Sequence, residues 1–287
     1  MCGIVGYVGP QDARDVVLEG LRRLEYRGYD SAGIAVLADG ELHSAKKAGK
    51  LANLEKVLAD RPLPAATTGI GHTRWATHGG PTDRNAHPHL SADGTVAVIH
   101  NGIIENFAAL RSECEKEGIE FTSETDTEVA AHLLAAAYAD SPEGEGRLAE
   151  AMRSVCRRLE GAFTLVATSA AEPDTLVAAR RSSPLVVGIG ETVDGTAEFF
   201  LGSDVAAFIA HTREARELGQ DQVVEIDRHR GLTVTDFAGK EVEPTAYTVD
   251  WDAAAAEKGG YDWFMLKEIA EQPQAVADTL LGRLGAR

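Results

Sequence analysis

The chain is poor in sulfur and in positive charge. Cysteine occurs three times in 287 residues, as Cys2, Cys114 and Cys156, an odd number with no CxxC spacing. Neither a disulfide framework nor a zinc ribbon is built from that pattern. Lysine is scarce, eight against twenty arginines, and 28 cations face 45 carboxylates for a formal net charge of −17. So acidic a chain argues against nucleic-acid and anionic-membrane partners, both of which call for basic patches. No run approaches the roughly 18 apolar residues of a membrane-spanning helix. Five of the nine histidines fall between residues 72 and 100. None forms an HExxH pair and no cysteine lies near them, so no metal is expected. The glycines at 188 and 190 lack the third member of a dinucleotide fingerprint, and no GxxxxGK[ST] occurs, so no cofactor is expected either. The start has no basic segment followed by an apolar one, and no Asn-X-Ser/Thr sequon is present. Reduced thiols and a cytoplasmic location are the expectation.

With 44% hydrophobic and 25% charged residues, the composition is that of an ordinary globular chain long enough to bury a sizeable core. Apolar periodicity predicts helices over 12–25, 51–58, 105–117, 127–138 and 147–159. Strands are predicted over 2–8, 33–38, 69–74 and 95–100, followed by a series of short ones between 163 and 237. Residues 75–93 hold Gly79, Gly80, Pro81 and Pro88 and read as a long loop of the kind that carries function. Strands and helices that do not alternate regularly point to an α+β layered fold, not a doubly wound parallel sheet. Residues 244–260 read as a linker. Residues 263–284 have a helical pattern interrupted at Pro273.

Cys2 is the residue with the most chemistry near it. Once Met1 is removed, it carries a thiol and a free α-amine of pKa roughly 7.7–8.0, a nucleophile and its own base on one amino acid. Taken alone, a small strand residue at position 2 explains it as well. Arg74, at a strand end beside a glycine-bearing loop, can clamp a carboxylate with its fork or sit on the surface. Asn101 and Gly102 offer an amide donor and an unencumbered N–H, the parts of an oxyanion hole, or simply a turn. The segment 124–128 opens a helix, and Thr125 or Asp126 suits an N-cap better than a ligand contact.

The strings MCGIVG at the start, LEYRGYDSAG over 24–33, GHTRWATHG over 71–79, NAHP over 85–88, HNGIIEN over 100–106 and SETDTE over 123–128 occur in this order. Together they resemble the class II glutamine amidotransferases, which are N-terminal-nucleophile hydrolases. Tyr26 to Asp30 and Arg74 to Thr77 are most similar to the glutaminase half of the glutamine–fructose-6-phosphate aminotransferases. The resemblance implies a four-layer αββα sandwich with two stacked antiparallel sheets. It implies a glutaminase domain over residues 1–240, with 241–287 a linker and first helix leading to an absent sugar-phosphate isomerase domain. It implies L-glutamine as substrate, attacked by Cys2, with Asn101 and Gly102 holding the oxyanion. Arg74 then binds the α-carboxylate and Asp126 the α-ammonium. Trp75, Thr77, His78 and His87 line the closing loop or the exit for ammonia, and Arg27 and Gly28 shape the surroundings of the nucleophile. A homodimer is implied for the longer enzyme, and a monomer or weak dimer for this piece. Two other readings stay open: an N-terminal-nucleophile amidase acting on a different amide, and a glutamine sensor that retains Met1.

Overall fold

Alternation of apolar side chains in three neighbouring strands builds the middle of the molecule. In β6 (Val96–Ile104) Val96 and Val98 face one way and Ala97 and Ile99 the other. The same split separates Leu165 and Ala167 from Val166 in β7 (Gly161–Ser169), and Val177 and Ala179 from Leu176 and Ala178 in β8 (Glu172–Arg181). A period of two with both faces apolar requires a layer on each side. One side is helical, made of α3 (Phe107–Lys116), α4 (Thr127–Asp140) and α5 (Arg147–Arg158), whose Leu110, Val129, Leu133, Met152 and Val155 close that core. The other side is a second sheet.

A computed structural model of the chain describes residues 2–192, 196–250 and 259–281. The strands preceding β6 are β1 (Gly3–Val8), β2 (Ser31–Ala38), β3 (Glu41–Ala48), β4 (Thr68–Arg74) and β5 (His89–Leu90). Those following β8 are β9 (Val186–Ile189), β10 (Phe199–Gly202), β11 (Glu214–Glu217), β12 (Gln222–Asp227), β13 (Gly231–Asp236) and β14 (Thr245–Thr248). They form an eight-stranded sheet in the order β14-β11-β9-β10-β1-β4-β2-β3 and a six-stranded sheet in the order β13-β12-β8-β7-β6-β5. The strand pairings in both ladders are antiparallel. Ile4, Val8 and Ile70 of the larger sheet meet Ile99, Val166 and Leu176 of the smaller one in a common core. The outer face of the larger sheet is covered by α1 (Ala13–Arg23), lying over β1 and β4, while α2 (Leu51–Asp60) packs against β3 and β2. Asp12 caps α1 by accepting from Arg14 N at 3.0 Å. The expected four-layer α+β sandwich is therefore present.

Three local readings change. The Asn101-Gly102 pair does not turn the chain: β6 runs through it, and Asn101 and Gly102 pair with Thr164 and Phe163 of β7. The stretch read as a linker from residue 244 contributes β14, which pairs with β11 at the sheet edge. Neither β11 nor β14 was expected, because strands of four residues with mostly exposed side chains carry no apolar period. The chain divides into compact units Met1–Asp250 and Trp251–Arg287. In the second, α6 (Phe264–Leu280) continues through Pro273 instead of breaking there.

Candidate active site

Antiparallel pairing brings four elements to one end of the sandwich. Gly3 pairs with Thr73 and Arg74 pairs with Ser31, so Cys2 and the end of β4 meet beside the start of β2. Gly3 N is anchored on Thr73 Oγ1 at 3.1 Å and Ile4 N on Ser203 Oγ at 3.1 Å, which fixes the start of β1 directly after the cysteine. From the other sheet, Asn101 reaches across and donates through Nδ2 to the Cys2 carbonyl oxygen at 3.2 Å. Cys2, Arg27, Arg74, Trp75, Thr77, His87, Asn101, Gly102 and Asp126 line one cavity of about 560 Å³.

The Cys2 sulfur accepts from Trp75 N at 3.1 Å. Burial pushes its pKa up, opposed by that N–H and by the positive Arg74, so the resting group is a thiol that needs a base. Gly102 has φ +123, and a Cβ there would stand 2.0 Å from the Ala162 carbonyl oxygen, so only glycine fits this wall of the cavity.

Arg74 and Asp126 carry the electrostatics. Arg74 is 3% exposed, and its guanidinium donates to the carbonyls of His78, of Gly79 at 3.2 Å and of Gly80 at 3.4 Å. Among the described residues no carboxylate forms an ion pair with it. Asp126 is also 3% exposed. It stands at the N-terminus of α4 but caps nothing, its Oδ2 accepting from Ile104 N at 2.9 Å instead. The nearest basic group recorded is His100 Nδ1 at 3.9 Å, and burial lowers the pKa of that imidazole and keeps it neutral. Two opposite charges, each buried and neither in an ion pair with a charged side chain among the described residues, therefore face one cavity beside a thiol; Asp30 and Asp126 act on Arg74 only from beyond ion-pair distance. Buried charges are ordinarily paired, and here a ligand with both signs would pair them.

The sequence pattern of the glutamine amidotransferase domain matches residues 72–210. Residues 72–210 thus match a glutamine amidotransferase domain over just under half of the chain. The chain is 69% identical over 284 residues to a glutamine–fructose-6-phosphate aminotransferase (isomerizing) of Streptomyces coelicolor, covering 99% of this chain and 45% of that protein. It is 62% identical over 289 residues to the protein of the same name from Mycolicibacterium paratuberculosis, covering 98% of this chain and again 45% of the relative. The chain thus spans about half the length of the curated relatives it matches. A solved structure of the glutamine phosphoribosylpyrophosphate amidotransferase from B. subtilis superposes with a TM-score of 0.64 at 25% identity, over 82% of this chain and 49% of the other.

The remaining expected residues divide. Trp75 holds the sulfur through its backbone N–H, and the residue is 55% exposed. Gly28, at φ +73, leaves room for the Trp75 ring, since a Cβ would stand 3.0 Å from it. Arg27 donates to Ser203 Oγ at 2.8 Å. Thr77 and His87 reach the cavity, the His87 ring lying between His72, against which it is tilted, and His89, which it meets edge-on, with ring centroids 4.3 and 5.0 Å away. His78 does not line it: its ring packs on Phe107 at 4.9 Å, and its carbonyl serves Arg74. Among the described residues no group of three or more His, Cys, Asp and Glu side chains is placed to hold a metal ion.

Sequence reasoning assigned no role to Asp30, Thr73 and Ser203. Asp30 brackets Trp75, its N–H donating to Arg74 O at 2.7 Å and its Oδ2 accepting from Ala76 N at 2.7 Å. Asp30 and Thr73 lie inside the strings that carried the resemblance. Ser203 lies far from them in sequence and had no signal, because only the pairing of β1 with β10 brings it near.

Proposed function

We propose that this domain hydrolyses L-glutamine to L-glutamate and ammonia through a thioester on Cys2. The observation that carries the proposal is the pair of buried, opposite charges, Arg74 and Asp126, in one cavity with a thiol and neither in a direct ion pair among the described residues. An α-carboxylate on Arg74 and an α-ammonium on Asp126 describe a free amino acid, and Cys2 receives its side-chain carbonyl. After removal of Met1 the Cys2 α-amine, through a water, takes the thiol proton as sulfur attacks. The oxyanion is stabilised by Asn101 Nδ2 and Gly102 N–H. The amine then returns the proton to departing ammonia, and water hydrolyses the thioester to glutamate. The raised thiol pKa makes such a base necessary. No cofactor enters any step. Trp75, Thr77, His87 and the backbone of His78 belong to the loop that encloses the substrate, while Arg27 and Gly28 support the surroundings of Cys2.

In a longer polypeptide the ammonia would convert D-fructose 6-phosphate to D-glucosamine 6-phosphate. Residues 1–240 would supply it, and 241–287 would lead into the isomerase domain. That enzyme is expected to be a cytoplasmic homodimer, and this piece a monomer or weak dimer without nucleic-acid or membrane partners. No helix of the described residues is long and apolar enough to cross a membrane.

The test is product analysis of the 287-residue chain with glutamine, with and without fructose 6-phosphate. Glutamate and ammonia in equal amounts, and no amino sugar, are expected. Cys2→Ala should abolish turnover and keep measurable glutamine binding. Turnover retained in Cys2→Ala would reject the nucleophile.

A further inference from the structure

The Asn101 amide is held at both ends, and its two partners fix which end is which. Nδ2 donates to the Cys2 carbonyl oxygen, so the end that meets His72 Nε2 at 2.8 Å is the carbonyl Oδ1. An amide oxygen only accepts, so His72 carries its proton on Nε2 and donates it. The reverse orientation would set the Asn101 carbonyl against the Cys2 carbonyl. Nδ2 has two hydrogens; one is used by Cys2 O, and the other remains for the cavity that Asn101 lines. His72 itself is completely buried on β4, is not part of the cavity wall, and has no part in the steps above. Burial holds its pKa down to about 3, so at neutral pH it is a fixed neutral donor and not a proton carrier.

We propose that His72 is a positioning residue for the oxyanion site: its Nε2–H locks the Asn101 amide so that Nδ2 faces the reacting carbonyl. The proposal rests on the glutaminase reading of Cys2 and Asn101. It makes a prediction a merely structural histidine would not. The interaction acts where charge develops, so its loss lowers kcat and leaves KM nearly unchanged.

The experiment is steady-state glutaminase kinetics of His72→Leu and His72→Gln, each alone and with Asn101→Ala, with folding checked by thermal unfolding. A single oxyanion donor is worth on the order of 10²–10³ in rate, which sets the ceiling. His72→Leu is expected to lose roughly 10–100-fold in kcat with KM within about two-fold. His72→Gln, whose amide nitrogen can stand near Nε2, is expected to recover to within about three-fold. In the Asn101→Ala background His72→Leu should cost less than about two-fold, because its route is gone. Should His72→Leu fail to fold, His72→Asn, polar but too short to reach Asn101, is expected to show the same kcat loss. Equal losses in both backgrounds, no recovery in His72→Gln, or a loss carried by KM would overturn the proposal. Turnover retained in Cys2→Ala would instead overturn the glutaminase reading and the His72 proposal with it.

Discussion

Asp126→Asn isolates the charge that the account assigns to the substrate ammonium. The substitution is nearly isosteric, and its amide oxygen can still accept from Ile104 N, now at 2.9 Å from Oδ2. What disappears is a carboxylate that is 3% exposed and so little screened by water. Two unit charges about 4 Å apart at an effective dielectric near 20 attract by about 4 kcal/mol. A hydrogen bond to a charged group has a net worth of about 1.5–3 kcal/mol. A loss of about 2–4 kcal/mol corresponds to roughly 30- to 1000-fold in kcat/KM for glutamine. The discriminating assay compares glutamine with glutaramic acid, the same molecule without the α-amine. The native domain should prefer glutamine by a factor in that range, and Asp126→Asn should bring the two substrates within about three-fold by lowering only the glutamine value. A variant that loses equally on both substrates would refute the assignment and return Asp126 to a structural role at the start of α4.

Three further outcomes follow from the same geometry. Arg74→Lys replaces a fork by a point charge, so kcat/KM for glutamine should fall about 10–100-fold, mostly in KM; an unchanged KM would argue against the carboxylate clamp. Gly102→Ala meets the Ala162 carbonyl oxygen at 2.0 Å in a backbone conformation of φ +123. It should lower stability in urea unfolding by about 2 kcal/mol or more and reduce turnover; a native-like midpoint would contradict the close approach. Burial lowers the pKa of His72, His87, His89 and His100. Below the usual value of about 6.5 the unfolded chain binds protons that the folded one refuses. Stability is therefore complete above about pH 6.5 and falls as pH drops, by about 1.4 kcal/mol per pH unit for each such histidine. Urea midpoints at pH 7 and pH 5 should differ accordingly, His72→Gln should reduce the slope by one proton, and a flat profile would reject buried neutral histidines.

Much of this fold was legible because its strands are apolar on both faces, as in 163–168 and 175–179, and because α1, α4 and α5 carry clear helical patterns. The short edge strands β11 and β14 escaped, being too short and too exposed for periodicity to register. For Asn101-Gly102 a turn stayed open beside the oxyanion reading for a different reason. The dipeptide favours turns locally, and only its pairing with β7 keeps it extended. In the site, Cys2, Arg74 and Asn101 could be argued from side-chain chemistry. For Asp126 local rules favoured a cap. Its carboxylate turns inward because Ile104 N, more than twenty positions away in sequence, donates to it. The part played by Asp30 and Ser203 depends on strand register, which no single segment of sequence specifies.

The central claim is a thioester on an N-terminal cysteine, and acid-quenched mass spectrometry during turnover tests it most directly. Chains that have lost Met1 are predicted to carry one γ-glutamyl group on the peptide that begins with Cys2, and chains that keep Met1 to carry none and to be inactive. Turnover by chains that keep Met1, or a γ-glutamyl group on any other residue, would contradict the account.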